Sequence, residues 1–348
     1  MTQFLQQIVN GLSIGSIYAL IALGYTMVYG IIKLINFAHG DIYMVGAFVG
    51  FICISTFKMS VLSAILCAMV FCALLGVAVE RLAYKPLRNP TKAGLFATAL
   101  VMGFILIYLV AKATLELDNL WAGVIALVLS LALGFFVYFT ITPKGNPNRI
   151  AALITAIGVS FFLEYAMMAI MGPNNRSYPA TLGGTATLAG VQITFAQILI
   201  FIITLALMLI LTFIVQKTKI GRAMRAVSTD ADAAALMGVN VDRTISITFA
   251  IGSSLAGAAG VLVGIYYNTL NPLMGMTYGL KAFIAAVFGG IGIIPGAMLG
   301  GFAIGITETM VAGYWSSLFK DAIVYIILIV ILILKPSGLL GKNVREKV

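Results

Sequence analysis

The run FAQILIFIITLALMLILTFIVQ, residues 195–216, contains no charged side chain. About 20 apolar residues in a helix cross the roughly 30 Å hydrocarbon core of a bilayer, where each backbone amide must be satisfied within its own segment. Such a run has one stable outcome, a transmembrane helix. The pattern recurs, predicting spans near 8–31, 41–57, 60–79, 93–111, 119–141, 150–171, 194–215, 244–267 and 318–334. Residues 278–290 and 296–312 read as a further pair, interrupted by Gly289, Gly290, Gly292, Pro295 and Gly296. The chain therefore reads as all-α and polytopic, about 9 to 11 membrane helices in a single domain over 1–348. Composition excludes a soluble globular protein, since 61% of the 348 residues are hydrophobic and 9% are charged.

The net charge of +10 would suit nucleic acid if it were clustered on one soluble surface. It is placed otherwise. Arg81, Lys85, Arg88 and Lys92 share one loop, Lys144 and Arg149 a second, Lys217, Lys219, Arg222, Arg225 and Arg243 a third, and Lys335, Lys342, Arg345 and Lys347 the end. One alternating topology puts all of them, with Lys33, on the same face, which the positive-inside rule makes cytoplasmic. The charge therefore records orientation, with a weak attraction to anionic membrane lipid and no nucleic-acid partner. The C-terminus is expected on the cytoplasmic side. Residues 1–10 lack the basic start and small-residue cleavage site of a signal peptide, so the first apolar run should stay as a span. Cys53, Cys67 and Cys72 fall inside apolar runs, where free cysteine acts as a small hydrophobe.

The longest polar interval between strong apolar runs is KTKIGRAMRAVSTDADAAALMGVNVDR, 217–243. Thr229 or Asp230 can cap a helix, Asp232 suits its positive end, and Gly238 can supply the left-handed residue that ends it. A short helix is predicted over about 230–237. Two alanine-rich turns are unstable alone, so Ala234, Leu236, Met237 and Asn240 belong either to an ordinary loop or to an element that docks into a partner.

Inside the apolar runs a few polar residues stand out. Asn36, His39 and Asp41 break the chain between the first two spans. They either satisfy exposed backbone at a helix break or lie beside a permeation path, because non-helical backbone at membrane depth is tolerated only against protein or water. His39 is the single histidine, without a neighbouring cysteine, a second histidine or a pair of acids, so neither a metal nor a catalytic role is read from it. Glu164 sits within an apolar run, where a carboxylate costs about 2.5–3.5 kcal/mol and must face the interior, pair or be protonated. Lys281 and Glu308 lie toward the external ends of the interrupted pair; they either snorkel to the interface or form charged walls of a cavity meeting a zwitterion. With Gly289 and Gly290, these are the candidate pathway or gate residues.

Several blocks, in order along nearly the whole chain, carry a resemblance: NGLSIGSIYALIALGYTMVYGIIKLINFAHGDIYMVGAF, ERLAYKPLR, LITAIGVSFFLEY, GRAMRAVSTDADAAALMGVNVDR, KAFIAAVFGGIGIIPGAMLGG and KPSGLLGK. Together they resemble the LivH-type permease of branched-chain amino acid ABC importers. The resemblance implies a type II ABC importer-like permease in a bacterial cytoplasmic (inner) membrane. It implies pairing with a LivM-type sister permease or a second copy, above two cytoplasmic ABC ATPases and below an extracytoplasmic substrate-binding protein. The loop matching residues 229–240 looks like the element on which the ATPases act. Two departures stand out. The family usually runs almost directly from the segment like ERLAYKPLR to the one like NRIAALITAIGVSFF, whereas here 89–147 intervenes with two extra spans. Glu164 stands where an uncharged polar residue is expected.

The leading expectation is a non-enzymatic transport subunit. No GxxxxGK[ST] phosphate loop occurs, so nucleotide chemistry belongs to other chains. The cargo is expected to be a branched-chain amino acid, with urea, amides or other small amino acids as alternatives. An ion-coupled secondary transporter would instead use Glu164 and Glu308 as relays. An intramembrane enzyme finds no acid–base pair or activated nucleophile in the sequence, and no cofactor is implied.

Overall fold

A computed structural model describes residues 2–88, 92–115, 119–140, 149–179, 183–188 and 190–341. Glu116, Asp118, the turn at 142–148 and the basic residues Lys342, Arg345 and Lys347 lie outside the described residues. The chain runs through α1 (Thr2–Ile32), α2 (His39–Ser55), α3 (Val61–Val79), a π-helical turn (Glu80–Tyr84), α4 (Lys85–Arg88), α5 (Lys92–Leu115), α6 (Asn119–Thr140) and α7 (Arg149–Met171). It continues through α8 (Phe195–Lys217), α9 (Lys219–Thr229), α10 (Ala231–Leu236), α11 (Val241–Tyr267), α12 (Met274–Gly289), α13 (Ile294–Tyr314) and α14 (Lys320–Leu334). Seven helices among the described residues are long and apolar enough to cross a membrane. The chain is a multi-pass membrane protein.

Two helices form the core. α1 and α11 are buried along most of their length, while α3, α7 and α8 present Leu66, Ile154, Phe161 and Leu209 outward as a lipid-facing surface would. Small residues permit close backbone approach where apolar burial gives no net drive in lipid. α13 lies antiparallel on α1 through them: a Cβ on Gly305 would fall 2.3 Å from the Gly15 nitrogen, and one on Gly301 2.5 Å from Ala19. α11 meets α2 where Gly46 faces Gly257, and meets α3 where Gly76 faces Ser253.

The first polar break is re-entrant. α1 ends at Ile32, yet a Cβ on Gly24 would strike the His39 ring and the Gly252 carbonyl. Gly24 is eight residues inside the end of α1, so α2 begins about 12 Å below that end. At 17 residues, α2 spans about 25 Å, less than a bilayer core. The chain leaves α1 at the basic face, turns back through 33–38, and starts α2 at mid-membrane.

The interrupted pair is present, broken between Gly289 and Ile294, but its halves are unequal. α13 is one unbroken helix of 21 residues, long enough to span, and only α12 is short. Gly290 and Gly292 take positive φ (109° and 91°) in a tight turn near Gly30, close to the basic end of α1. Leu339 and Leu340 donate backbone hydrogen bonds to Phe288 and Gly289, so the segment after α14 seals this turn.

α5 and α6 pack largely on each other, through Phe96 on Phe135 and Gly103 on Leu133. On the opposite face, where polar loops were expected, two small antiparallel pairings form. β1 (Arg176–Ser177) pairs with β4 (Thr269–Leu270), and β2 (Thr185–Leu188) with β3 (Val191–Thr194). Gln6 fastens the β3 strand to α1, donating to the Gln192 carbonyl and accepting from its amide, both at 2.9 Å.

Candidate functional site

Three sets of residues carry the candidate chemistry, and the bundle places them at three depths.

Outside the membrane on the basic face, α9 and α10 form a compact elbow. Asp230 caps α10, its Oδ1 accepting from the amides of Asp232 (2.9 Å) and Ala233 (3.0 Å). Thr229 instead ends α9, donating to the Arg225 carbonyl. Gly238 takes φ 83°, and the Val239 amide closes the end by donating to Ala234. Asn240 caps α11, accepting from the Arg243 amide at 2.9 Å. Ala234 is buried against its neighbours, whereas Leu236 and Met237 are 88% and 84% exposed. The short helix is thus fixed at both ends and offers two large apolar side chains to whatever lies beyond. The α9 helix was missed in the sequence; Gly221, Met224 and Val227 face inward at a spacing of three, a helical signal masked by the surrounding Lys and Arg.

At mid-membrane, the re-entrant break and α7 meet. Tyr84 donates to Asn36 Oδ1 at 2.8 Å, and the His39 ring packs edge-on to Tyr25, centroids 4.7 Å apart. Ser160 donates to Asp41 Oδ2 at 2.5 Å. One turn further along α7, the Glu164 carboxyl stands beside that of Asp41. Asn36, His39, Asp41 and Glu164 are each buried, and among the described residues no donor besides the facing carboxyl reaches Asp41 Oδ1 or Glu164 Oε1. The structure therefore gathers four of the pathway candidates into one cluster.

Nearer the opposite face, Lys281 and Glu308 do not snorkel. They are buried and paired at 2.8 Å. Tyr18 donates to Glu308 Oε2 at 2.7 Å, and Lys281 also meets Asp321 at 2.6 Å, with Lys320 3.7 Å from Glu308. Tyr43, Tyr267 and Tyr278 cluster alongside, ring centroids 5.6–6.0 Å apart. A polar plug thus closes that side of the bundle. Gly289 and Gly290 join neither cluster.

One further group went unread. Arg88 bridges Glu80 (3.1 Å) and Asp242 (2.7 Å), Lys85 meets Asp242 at 3.2 Å, and Ser246 donates to Glu80 Oε2 at 2.7 Å. The π-helical turn that carries Glu80 also carries Tyr84, the partner of Asn36. Covalent and hydrogen-bonded links therefore run from Asn240 at the elbow, through Asp242, Arg88 and Glu80, to the mid-membrane break.

Charged and hydroxyl groups held at membrane depth beside re-entrant backbone are the arrangement that membrane transport proteins use. The family described as branched-chain amino acid transport system / permease component matches residues 7–116 and 96–332, and the chain belongs to that family. It is 37% identical to the high-affinity branched-chain amino acid transport system permease protein BraD of Pseudomonas aeruginosa, over 99% of this chain and 98% of the relative. The same identity and coverage relate it to the permease protein LivH of Escherichia coli. A probable branched-chain amino acid transport permease protein LivH of Methanocaldococcus jannaschii is 26% identical over 95% of this chain and 90% of the relative. No solved structure matches the chain.

Proposed function

We propose that this chain is the membrane-spanning permease subunit of an ATP-driven importer of branched-chain amino acids in a bacterial cytoplasmic membrane. The observation that carries the reading is the elbow of α9 and α10. It holds Leu236 and Met237 rigid and exposed on the basic face, which the charge bias makes cytoplasmic. An ATPase that closes on nucleotide binding would pull this elbow, and the Asp242–Arg88–Glu80 links would carry the motion to Asn36 as a two-state shift. A second permease, a sister or a copy, supplies the other half of the path, and each half meets one ATPase. The binding protein delivers cargo to the opposite face, where β2 and β3 stand. The span 89–147 is read as a two-helix insertion, and the packing of α5 and α6 chiefly on each other supports a peripheral place for it.

The test is uptake of labelled leucine into proteoliposomes holding this chain with and without its neighbouring permease, ATPases, binding protein and internal ATP. Uptake that requires every component is expected. Uptake by this chain alone under an ion gradient would overturn the importer reading.

A further inference from the structure

A cavity of about 230 Å³ lies between α7, the 33–38 break and α12, lined among others by Tyr25, Phe37, Ser160, Phe161, Gly275 and Met276. That is room for a small solute rather than for a single water. Its open side is apolar, since Phe161 and Met276 are exposed there.

Its inner wall is different. Ser160, which lines the cavity, donates to Asp41 Oδ2. Gly275, which also lines it, stands directly on the other carboxylate oxygen, so that a Cβ there would collide with Asp41 Oδ1. The missing side chain at 275 leaves room for that oxygen, which is buried just behind the cavity wall formed by Ser160 and Gly275. Asp41 and Glu164 are 1% and 4% exposed; their carboxyl groups stand against each other, and among the described residues no other donor reaches Asp41 Oδ1 or Glu164 Oε1. Among the described residues the buried Lys281 is engaged with Glu308 and Asp321, and the half-buried Arg88 with Glu80 and Asp242. Ser160 thus donates to Asp41 while the Glu164 carboxyl stands against it, two acidic groups at membrane depth that an incoming cation would bridge.

We propose that this cavity receives the cargo, with the α-ammonium group of an aliphatic amino acid meeting Asp41 and Glu164 beside Ser160. The branched side chain lies against Phe37, Phe161 and Met276. The assignment rests on the importer reading and deepens it: urea or a neutral amide carries no cation to meet the carboxyl pair and no side chain to fill the apolar part. The site faces the flank of the subunit, where Phe161 and Met276 would meet a second permease.

The assembled importer, carrying Ser160→Cys in a chain whose Cys53, Cys67 and Cys72 are replaced by alanine, provides the test. Saturating leucine is expected to slow alkylation of the introduced thiol about tenfold, and 4-methylpentanoate, the same skeleton without the ammonium, is expected not to. In the otherwise unmodified importer, Asp41→Asn should lower leucine imported per ATP hydrolysed about tenfold, the loss of one charge-assisted hydrogen bond. Ser160→Ala, at a partly exposed position that tolerates the change, should lower it in the same direction. Equal alkylation with and without leucine, or equal protection by both compounds, in an importer that takes up leucine would overturn the site alone. If the wild-type assembly takes up no leucine with ATP, the importer reading itself fails, and the site with it.

Discussion

Lys281 Nζ and Glu308 Oε1 lie 2.8 Å apart with both side chains almost wholly buried. They come from α12 and α13, and Tyr18 of α1 donates to the free oxygen of Glu308, so one ion pair ties three helices. Breaking such a pair leaves an uncompensated charge, whereas removing both charges does not. Lys281→Met is expected to destabilise the protein by about 3–5 kcal/mol, and Lys281→Met with Glu308→Gln to recover most of that. Thermal unfolding in detergent decides it. A double variant no more stable than the single one would show that the two charges are not coupled.

Leu236 and Met237 make the elbow's apolar surface, and neither is needed to hold its fold. Leu236→Ser with Met237→Ser should leave membrane insertion intact and weaken ATPase association by about 2 kcal/mol or more. Asp232→Lys, placing a cation at the positive end of α10, and Gly238→Pro, which cannot adopt the left-handed conformation, should act similarly. Co-purification of the ATPases with each variant is the measurement, and wild-type recovery from all three would remove the elbow from the interface.

The Arg88 network separates two kinds of ion pair. Arg88 is the cation of a fully buried Glu80, whereas Lys85 is 45% exposed. Arg88→Met should cost about 1–3 kcal/mol, less than a wholly buried pair because solvent reaches the guanidinium. Lys85→Met should cost under about 1 kcal/mol. Melting temperatures of the two variants give the ranking, and equal losses would contradict it.

Close contact along α1 and α13 makes its own forecast. Gly305→Ala forces a methyl group into the Gly15 backbone and should cost about 1–3 kcal/mol. Gly158→Ala in α7 meets nothing within 4 Å and should be neutral or stabilising by up to about 1 kcal/mol through helix propensity. Thermal unfolding of the two single variants in the same detergent reads the contrast.

The two-helix insertion can be removed outright. Deleting 89–147 and joining Arg88 to Asn148 should preserve ATP-dependent uptake, because α5 and α6 rest chiefly on one another. Loss of uptake with the complex still assembled would assign the hairpin a part in transport.

Helix number and order were readable because apolar runs of bilayer length have few alternatives, and the cap chemistry of Asp230 and Gly238 located α10 closely. Depth was not readable. Nothing in NFAHGD says that α2 starts at the level of Gly24, since that follows from glycines at 24, 252 and 275 that admit a close-packed turn only once the helices are assembled. For the same reason the pairing of Asp41 with Ser160 and Glu164, and of Lys281 with Glu308, was invisible. Each joins distant segments through tertiary packing, and local pattern gives no partner. The break within 278–312 was readable, but the unequal lengths of its two helices were not, because glycine clusters mark turns and helix contacts alike; here Gly290 and Gly292 turn the chain, while Gly300, Gly301 and Gly305 pack an intact helix.

The re-entrant break also sets a timetable for biosynthesis. Asn36, His39 and Asp41 leave the ribosome more than two hundred residues before Gly252 and Gly275, the backbone that encloses them. Until those later helices arrive, the polar break has only part of its protein wall, from Tyr25, Tyr84 and Ser160, and contacts of such long sequence separation form slowly. The heart of the bundle therefore closes only when α11 and α12, in the last third of the chain, have been made.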